Sequence, residues 1–434
     1  MTKIAFIGAG SVIFTRNLLR DIFDFPALAD AHIALHDIDQ ERLDTAEAMA
    51  QTTATEFSAT PVITAHLDRG AALDGADFVL NMVQIGGHEA TLMDFEIPTK
   101  FGLHQTIADT LGVGGIFRTL RTAPHMLGLG NEMAERCPDA WLLNYTNPMA
   151  MLCWLTYAGT PTTNVVGLCH SVQHTTDLLS GLVGVPASEV DILSAGLNHQ
   201  AFFLRFEHRG EDLYPRLAEL AASDPELQRR VRFAVYKHFG YFPTESSEHL
   251  AEYVPWVMHH AGEIDRYRVP VDEYIRRSEE NLVEYERVRA ALDRGDLPPV
   301  ERSNEYAATI INSMVTGERS VIYGNVANHD LLPGLLEGSC VEVPCIVDGT
   351  GLHPQAVPNY PAELAALNRT FNNVVELTVR AVLDGRPELV RQAALLDPNA
   401  AASLTMDEIA ALCDELTAAH GDSLPEALRV GALR

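Results

Sequence analysis

Cys169 ends an apolar run, Asn164-Val165-Val166-Gly167-Leu168, and is followed by His170-Ser171; His199 stands in Gly196-Leu197-Asn198-His199 at the head of the next segment. A thiolate and an imidazole are good ligands for a divalent transition metal. Two protein ligands would leave positions open for substrate and water, as catalysis needs. The same spacing also fits a buried, inert thiol and a histidine satisfied as a polar residue, so both readings stand on it. A second signal is Gly8-Ala9-Gly10-Ser11. Glycines there let the backbone approach a pyrophosphate, and a helix N-terminus behind them offers unpaired N–H donors. Asp37, after the following apolar run, would accept hydrogen bonds from an adenosine ribose. Its charge disfavours a 2′-phosphate, which favours NAD over NADP.

Further polar groups cluster at turns. Gln105-Thr106-Ile107-Ala108-Asp109-Thr110-Leu111-Gly112 is a glycine-bounded loop whose acid, Asp109, could orient a base; a flexible connection fits it too. Asn144 and Asn147 bring two carboxamides to one strand end, suited to sugar or nicotinamide, although Asn-Pro is also an ordinary turn. The stretch from Gly240 to Tyr253 concentrates phenols, acids and a histidine more densely than a solvated loop requires, which points to a pocket wall.

The elements that must position these groups follow from periodicity. Lys3-Ile4-Ala5-Phe6-Ile7, an amphipathic helix and His32-Ile33-Ala34-Leu35-His36 give strand, glycine turn, helix, strand and acid in the order of a dinucleotide-binding unit. The third glycine of that fingerprint would fall at Ile13; it serves helix–strand packing more than phosphate contact. Residues 77–83, 141–148 and 164–170 read as further parallel strands, and their loops should converge at the carboxyl edge of one doubly wound sheet. The pattern changes near residue 195. Residues 201–206 read as a strand, 225–239 and 272–294 as helices, and 365–434 as packed helices, with Pro298, Pro299, Pro354 and Pro358 in connecting loops. The fold class expected is α/β: a Rossmann-like domain over 1–195 and a mixed α+β domain over 196–434.

A net charge of −28 argues against nucleic acid and anionic membranes as partners. No apolar run reaches the roughly 18 residues of a membrane span, the start has no signal-peptide layout, and the six cysteines contain no C-x-x-C pair. A reducing cytoplasm is the expected location.

Eight blocks carry a resemblance that runs nearly end to end: FIGAGSVIF at 6–14, ALHDID at 34–39, QTIADTLGVGGIFRTLRT at 105–122, NYTNPMAM at 144–151, VGLCHSVQ at 166–173, AGLNHQAF at 195–202, YFPTESSEHLAEYVPW at 241–256 and SVIYGNV at 320–326. Together they resemble the NAD-dependent glycoside hydrolases of family 4, and within that family its α-galactosidase branch. The resemblance implies hydrolysis outside the two-carboxylate scheme. On that scheme NAD⁺ would take hydride from sugar C3, the ketone would acidify the C2 proton, a divalent metal (manganese in the family) would stabilise the enolate left when a base removes it, and the C1–O bond would break before water adds and the hydride is returned. It further implies Cys169 and His199 as metal ligands and Asn147 as a substrate contact. Gly8, Gly10, Ser11 and Asp37 would bind the cofactor. His170 stands where the phospho-glycosidase branch carries an acidic proton donor, so it would donate a proton or recognise a hydroxyl. Asp109 would support a base that is a tyrosine in several members. Tyr241 is the candidate, with Tyr253 nearby. A small-molecule glycoside is the implied partner, and a homodimer or homotetramer the implied assembly.

No Arg/Lys cluster accompanies Cys169-His170 to hold a 6-phosphate, so an unphosphorylated galactoside is expected. α-Glucosides, α-glucuronides and α-galacturonides are the alternatives within the family, with Arg118, Arg121 or Arg302 available to a uronate. A 2-hydroxy-acid dehydrogenase would share the fold and the Asn-Pro turn without needing the metal pair. A non-catalytic NAD- or sugar-sensing protein would bind without turnover.

Overall fold

The computed structural model describes residues 1–429. Its first half alternates β1 (Lys3–Ile7), α1 (Val12–Phe23), β2 (His32–His36), α2 (Gln40–Glu56), β3 (Val62–His66), α3 (Arg69–Leu73), β4 (Phe78–Asn81), α4 (Gly87–Lys100), α5 (Gly112–Arg136), β5 (Trp141–Asn144), α6 (Met149–Gly159), β6 (Val165–Gly167) and α7 (Ser171–Val183). The six strands are parallel and run in the order β3-β2-β1-β4-β5-β6, that of a doubly wound dinucleotide-binding sheet. Ile4 to Ile7, Ile33 to Leu35 and Phe78 to Leu80 are buried along their whole length. Such continuous apolar strands suit a sheet covered by helices on both faces. The order reverses between β1 and β4, and it is there that a crevice for ligand opens.

The second half contains β7 (Val190–Leu197), β8 (Gln200–His208), β9 (Glu211–Asp212), α8 (Tyr214–Ser223), α9 (Val231–Phe239), β10 (Phe242–Pro243), α10 (Ser247–Glu252), α11 (Ala261–Tyr267), α12 (Glu273–Arg294), α13 (Ala307–Thr316), β11 (Ser320–Ala327), β12 (Cys340–Asp348), β13 (Gly351–Pro354), and α14 (Ala362–Asp384) to α17 (Met406–His420) through α15 (Glu388–Leu396) and α16 (Pro398–Ser403). Its strands turn antiparallel and extend the first sheet. Asn325 of β11 pairs with Gly167 of β6, and β12, β7, β8 and β10 follow in that order. The sheet is therefore continuous through the place where the sequence pattern changes, and one apolar cluster holds Ile4, Val166, Ile322 and Phe371 together.

Some elements differ from expectation. The 225–239 helix begins at Val231, because Arg230 is extended after a 3-10 turn at Leu227–Arg229. Pro354 lies in β13 opposite Cys345 instead of in a loop; it ends that strand, where a missing N–H is tolerated. The last five residues of the helical stretch 365–434 lie outside the described residues.

Candidate active site

A cleft of about 940 Å³ opens at the carboxyl ends of β1, β2 and β4. Gly8 turns the chain at φ +90°, a conformation that L side chains rarely adopt. At Gly10 a Cβ would sit 2.5 Å from Asp37 Oδ2. The glycine instead lets its N–H donate to that oxygen at 2.7 Å, while Asp39 N–H donates to Oδ1 at 3.0 Å. Backbone donors thus fix the Asp37 carboxylate at the rim. Ser11 begins α1 without a side-chain cap, so the first N–H groups of the helix stay free for an anion, and Val12 and Ile13 line the cleft beside them. Glycine cradle, open helix terminus and oriented acid fit a dinucleotide. The far wall, missed in the sequence, is α12: Ser278, Asn281, Leu282 and Tyr285 face the cleft, and the Arg42 guanidinium lies 4.3 Å from the Tyr285 ring centre.

Beyond the nucleotide cleft, β6 ends at Gly167 and presents Cys169 two residues on. Asn198 and His199 form the two-residue turn between β7 and β8, where Leu197 pairs with Gln200. His199 takes φ +63° there, a strained position for a residue other than glycine. Glu245 follows β10. Donor atoms of Cys169, His199 and Glu245 lie within 4.8 Å of one another, the first two residues buried and Glu245 partly so. One sulfur, one nitrogen and one carboxylate oxygen make a donor set suited to a divalent transition metal. Burial pushes the Cys169 thiol up to about 12, reinforced by the charges of Glu245 and Glu342. Burial also opposes ionisation of Glu245, yet His199, His249 and Arg232 bring its carboxyl down to about 2. A cation is what would draw the proton from the thiol.

His199 is held from behind. Nε2 faces Glu245 at 3.5 Å, while Nδ1 lies 3.0 Å from Thr110 Oγ1 and 3.2 Å from the Tyr253 hydroxyl. Thr110 in turn donates to Asp109 Oδ1 at 2.9 Å, and Asn147 Nδ2 donates to Asp109 Oδ2 at 3.1 Å. Burial disfavours the Asp109 charge, but the His249 imidazole 3.7 Å away and the Arg118 guanidinium hold the carboxyl below its usual range. Such chains behind a ligand histidine fix its ring and tautomer. Asn147 Oδ1 is buried without a hydrogen-bond partner among the described residues, so an acceptor is left for a ligand hydroxyl. The loop that carries Asp109 is pinned by Glu252, whose carboxylate accepts from the N–H groups of Thr106 and Ala108 at 2.8 and 2.9 Å and is also close to that of Ile107.

The structure thus brings Cys169, His199, Asp109 and Asn147 together. His170 is half-exposed beside them and pairs with Glu305 at 3.1 Å; that hydrogen bond raises the imidazole to about 9 in spite of burial. Tyr241 is half-buried and packs on the main apolar cluster. Its hydroxyl has no hydrogen bond to these groups among the described residues; Tyr253 is the phenol in contact with His199. Glu245, His249, Glu252 and Glu305 went unassigned in the sequence. The density of acids and phenols from 240 to 253 was the signal for the first three. Of the three arginines considered for a uronate, Arg121 is paired with Asp94 at 2.6 Å and Arg302 is exposed near Asp24. Arg118 is buried next to Asn147, donating to its carbonyl and to Tyr274.

The sequence profile of the family 4 glycosyl hydrolases matches residues 3–185, and that of the family's C-terminal domain matches 194–400. The chain belongs to glycosyl hydrolase family 4. It is 42% identical to an α-galactosidase of Bacillus subtilis, over 98% of this chain and 100% of that one. It is 34% identical to an α-galactosidase of Rhizobium meliloti, over 98% and 89%. Among solved structures, a glucosidase described as putative, lplD of Bacillus subtilis, superposes with a TM-score of 0.87 at 23% identity, covering 96% of this chain and 99% of that one. A 6-phospho-α-glucosidase from gut microorganisms, solved with NAD and Mn²⁺, superposes at 0.81 with 20% identity over 98% and 99%. Family membership sets aside the dehydrogenase reading: the shared nucleotide fold carries glycosidase chemistry here. No helix among the described residues is long and apolar enough to cross a membrane.

Proposed function

We propose that this family 4 enzyme hydrolyses terminal α-D-galactosides with NAD and Mn²⁺, by oxidation, elimination, addition and reduction. The observation that carries the sugar is the full-length 42% identity to an α-galactosidase. Gly8, Gly10, Ser11 and Asp37 would hold the nucleotide; Cys169, His199 and Glu245 would hold the metal. When bound, NAD⁺ supplies reversible hydride acceptance at C3 and the metal polarises the sugar oxygens, which together make the C2 proton removable.

The side chains orient and move protons. Asn147 Oδ1 accepts from a sugar hydroxyl while Nδ2 stays tied to Asp109. Asp109 and Thr110 keep His199 in register. His170, charged through its pairing with Glu305, gives a proton toward the departing glycosidic oxygen. Tyr253, occupied with His199, is a positioning residue, which leaves Tyr241, of the two phenols that the resemblance offers, to take the C2 proton. Tyr241→Phe should therefore stop C2 proton exchange while leaving metal binding in place, and Tyr253→Phe should weaken metal binding. The reverse pattern would exchange their roles.

Arg118 beside Asn147 supports a second reading, an α-galacturonidase, since its guanidinium could meet a C6 carboxylate. Release of nitrophenol by the dialysed protein decides between the two. Activity on p-nitrophenyl α-galactoside that needs added NAD⁺, Mn²⁺ and thiol reductant is the expected result. Activity confined to the galacturonide would establish the second reading, and full rate without either cofactor would overturn both.

A further inference from the structure

Glu342, the third residue of β12, lies opposite Asn325 of β11 and Gly196 of β7 and is fully buried. Asn198 Nδ2 donates to its Oε2 at 3.4 Å. Its Oε1, Asn198 Oδ1 and Asn325 Oδ1 are all buried without a hydrogen-bond partner among the described residues. Burial raises its carboxyl to about 7, and it makes no ion pair with an arginine or lysine among the described residues. A buried carboxylate without a paired cation lowers stability. An amide or an apolar side chain would serve a strand interior better.

Its surroundings give the reason for an acid. Asn198 is the first residue of the tight turn that carries His199, so the contact from Glu342 holds the residue next to the strained ligand. The charge of Glu342 also acts on the Cys169 thiol. A dication at Cys169, His199 and Glu245 would bring the missing positive charge to this carboxylate. We propose that Glu342 is a metal-positioning residue. Through Asn198 it fixes the turn of His199, and its buried negative charge is offset by the divalent cation held in front of it. This rests on the assignment of the metal to Cys169, His199 and Glu245.

The test is Mn²⁺ binding to chelator-treated, full-length protein, with NAD⁺ binding as the readout of an intact fold. Glu342→Gln should weaken Mn²⁺ binding by about ten- to a hundredfold, the range found when outer partners of metal ligands are removed, and leave NAD⁺ affinity unchanged. Without metal the variant should melt no lower than the parent, and Mn²⁺ should raise its melting temperature less. Glu342→Asp, which keeps the charge, should recover most of the lost affinity. Mn²⁺ affinity unchanged in Glu342→Gln, an equal loss in both variants, or a Glu342→Gln chain that does not bind NAD⁺ would overturn the proposal. Cys169→Ala separates the two layers. If it binds Mn²⁺ like the parent, the metal site itself is misassigned; if it loses Mn²⁺ while Glu342→Gln retains it, only the role of Glu342 falls.

Discussion

His199 concentrates the demands on this site in one residue. It holds a left-handed backbone conformation at φ +63°, where glycine would be relaxed, and an imidazole is kept there because the turn aims it at Cys169 and Glu245. His199→Gly should accordingly be more stable than His199→Ala by roughly 1 kcal/mol, since only glycine enters that region freely. Thermal or urea melts of the two variants measure the difference, and both should lose metal binding. Cys169→Ala should abolish Mn²⁺-dependent turnover and leave NAD⁺ affinity intact, measurable by titration of the cofactor. Unchanged turnover would remove Cys169 from the ligand set.

Two buried acids show how elements carry the site. Glu252, at the end of α10, closes the backbone donors of the Asp109 loop. Glu252→Gln places an amide N–H against those donors and should cost about 1–3 kcal/mol. Because Asp109 and Thr110 ride on that loop, kcat should fall with it, as melting and steady-state kinetics would record. Asp397 caps α16 by accepting from Ala400 N–H at 2.8 Å, and burial raises its carboxyl to about 7. The unfolded chain releases that proton near the ordinary value of 3.8. Stability is therefore lost as pH rises from about 4 to 7 and levels above that. Asp397→Asn keeps a capping oxygen and should flatten this fall, melting above the parent at pH 8 and not at pH 4. The sequence revealed these elements unevenly. Five of the six parallel strands read clearly, because buried apolar runs such as Ile4–Ile7 and Phe78–Leu80 end in glycine or asparagine; β3, a partly exposed edge strand, has no such run. Glu342 was not legible as a site residue, and the acids of 240–253 read as a pocket wall without individual roles: only the antiparallel strands and α10 bring Glu245 to Cys169 and His199 and set Glu252 against the Asp109 loop.

At the scale of the whole molecule, one sheet and one apolar cluster run through both halves, and α12 returns from the second half to wall the nucleotide cleft. The long-range pairing of Asn325 with Gly167 leaves no local mark in the sequence, which shows only a change of pattern near residue 195. NAD⁺ should therefore raise the melting of the entire chain in a single calorimetric transition, since a ligand that binds only the folded state stabilises everything that melts with it. Two transitions with only one displaced would show that the halves unfold independently. The central claim is that a glycosidic bond is cleaved through loss of the sugar C2 proton. Hydrolysis of an α-galactoside in D₂O, with NAD⁺ and Mn²⁺ present, tests it by NMR of the recovered galactose. Deuterium at C2 is the expected result; galactose that keeps its original C2 proton would contradict the mechanism.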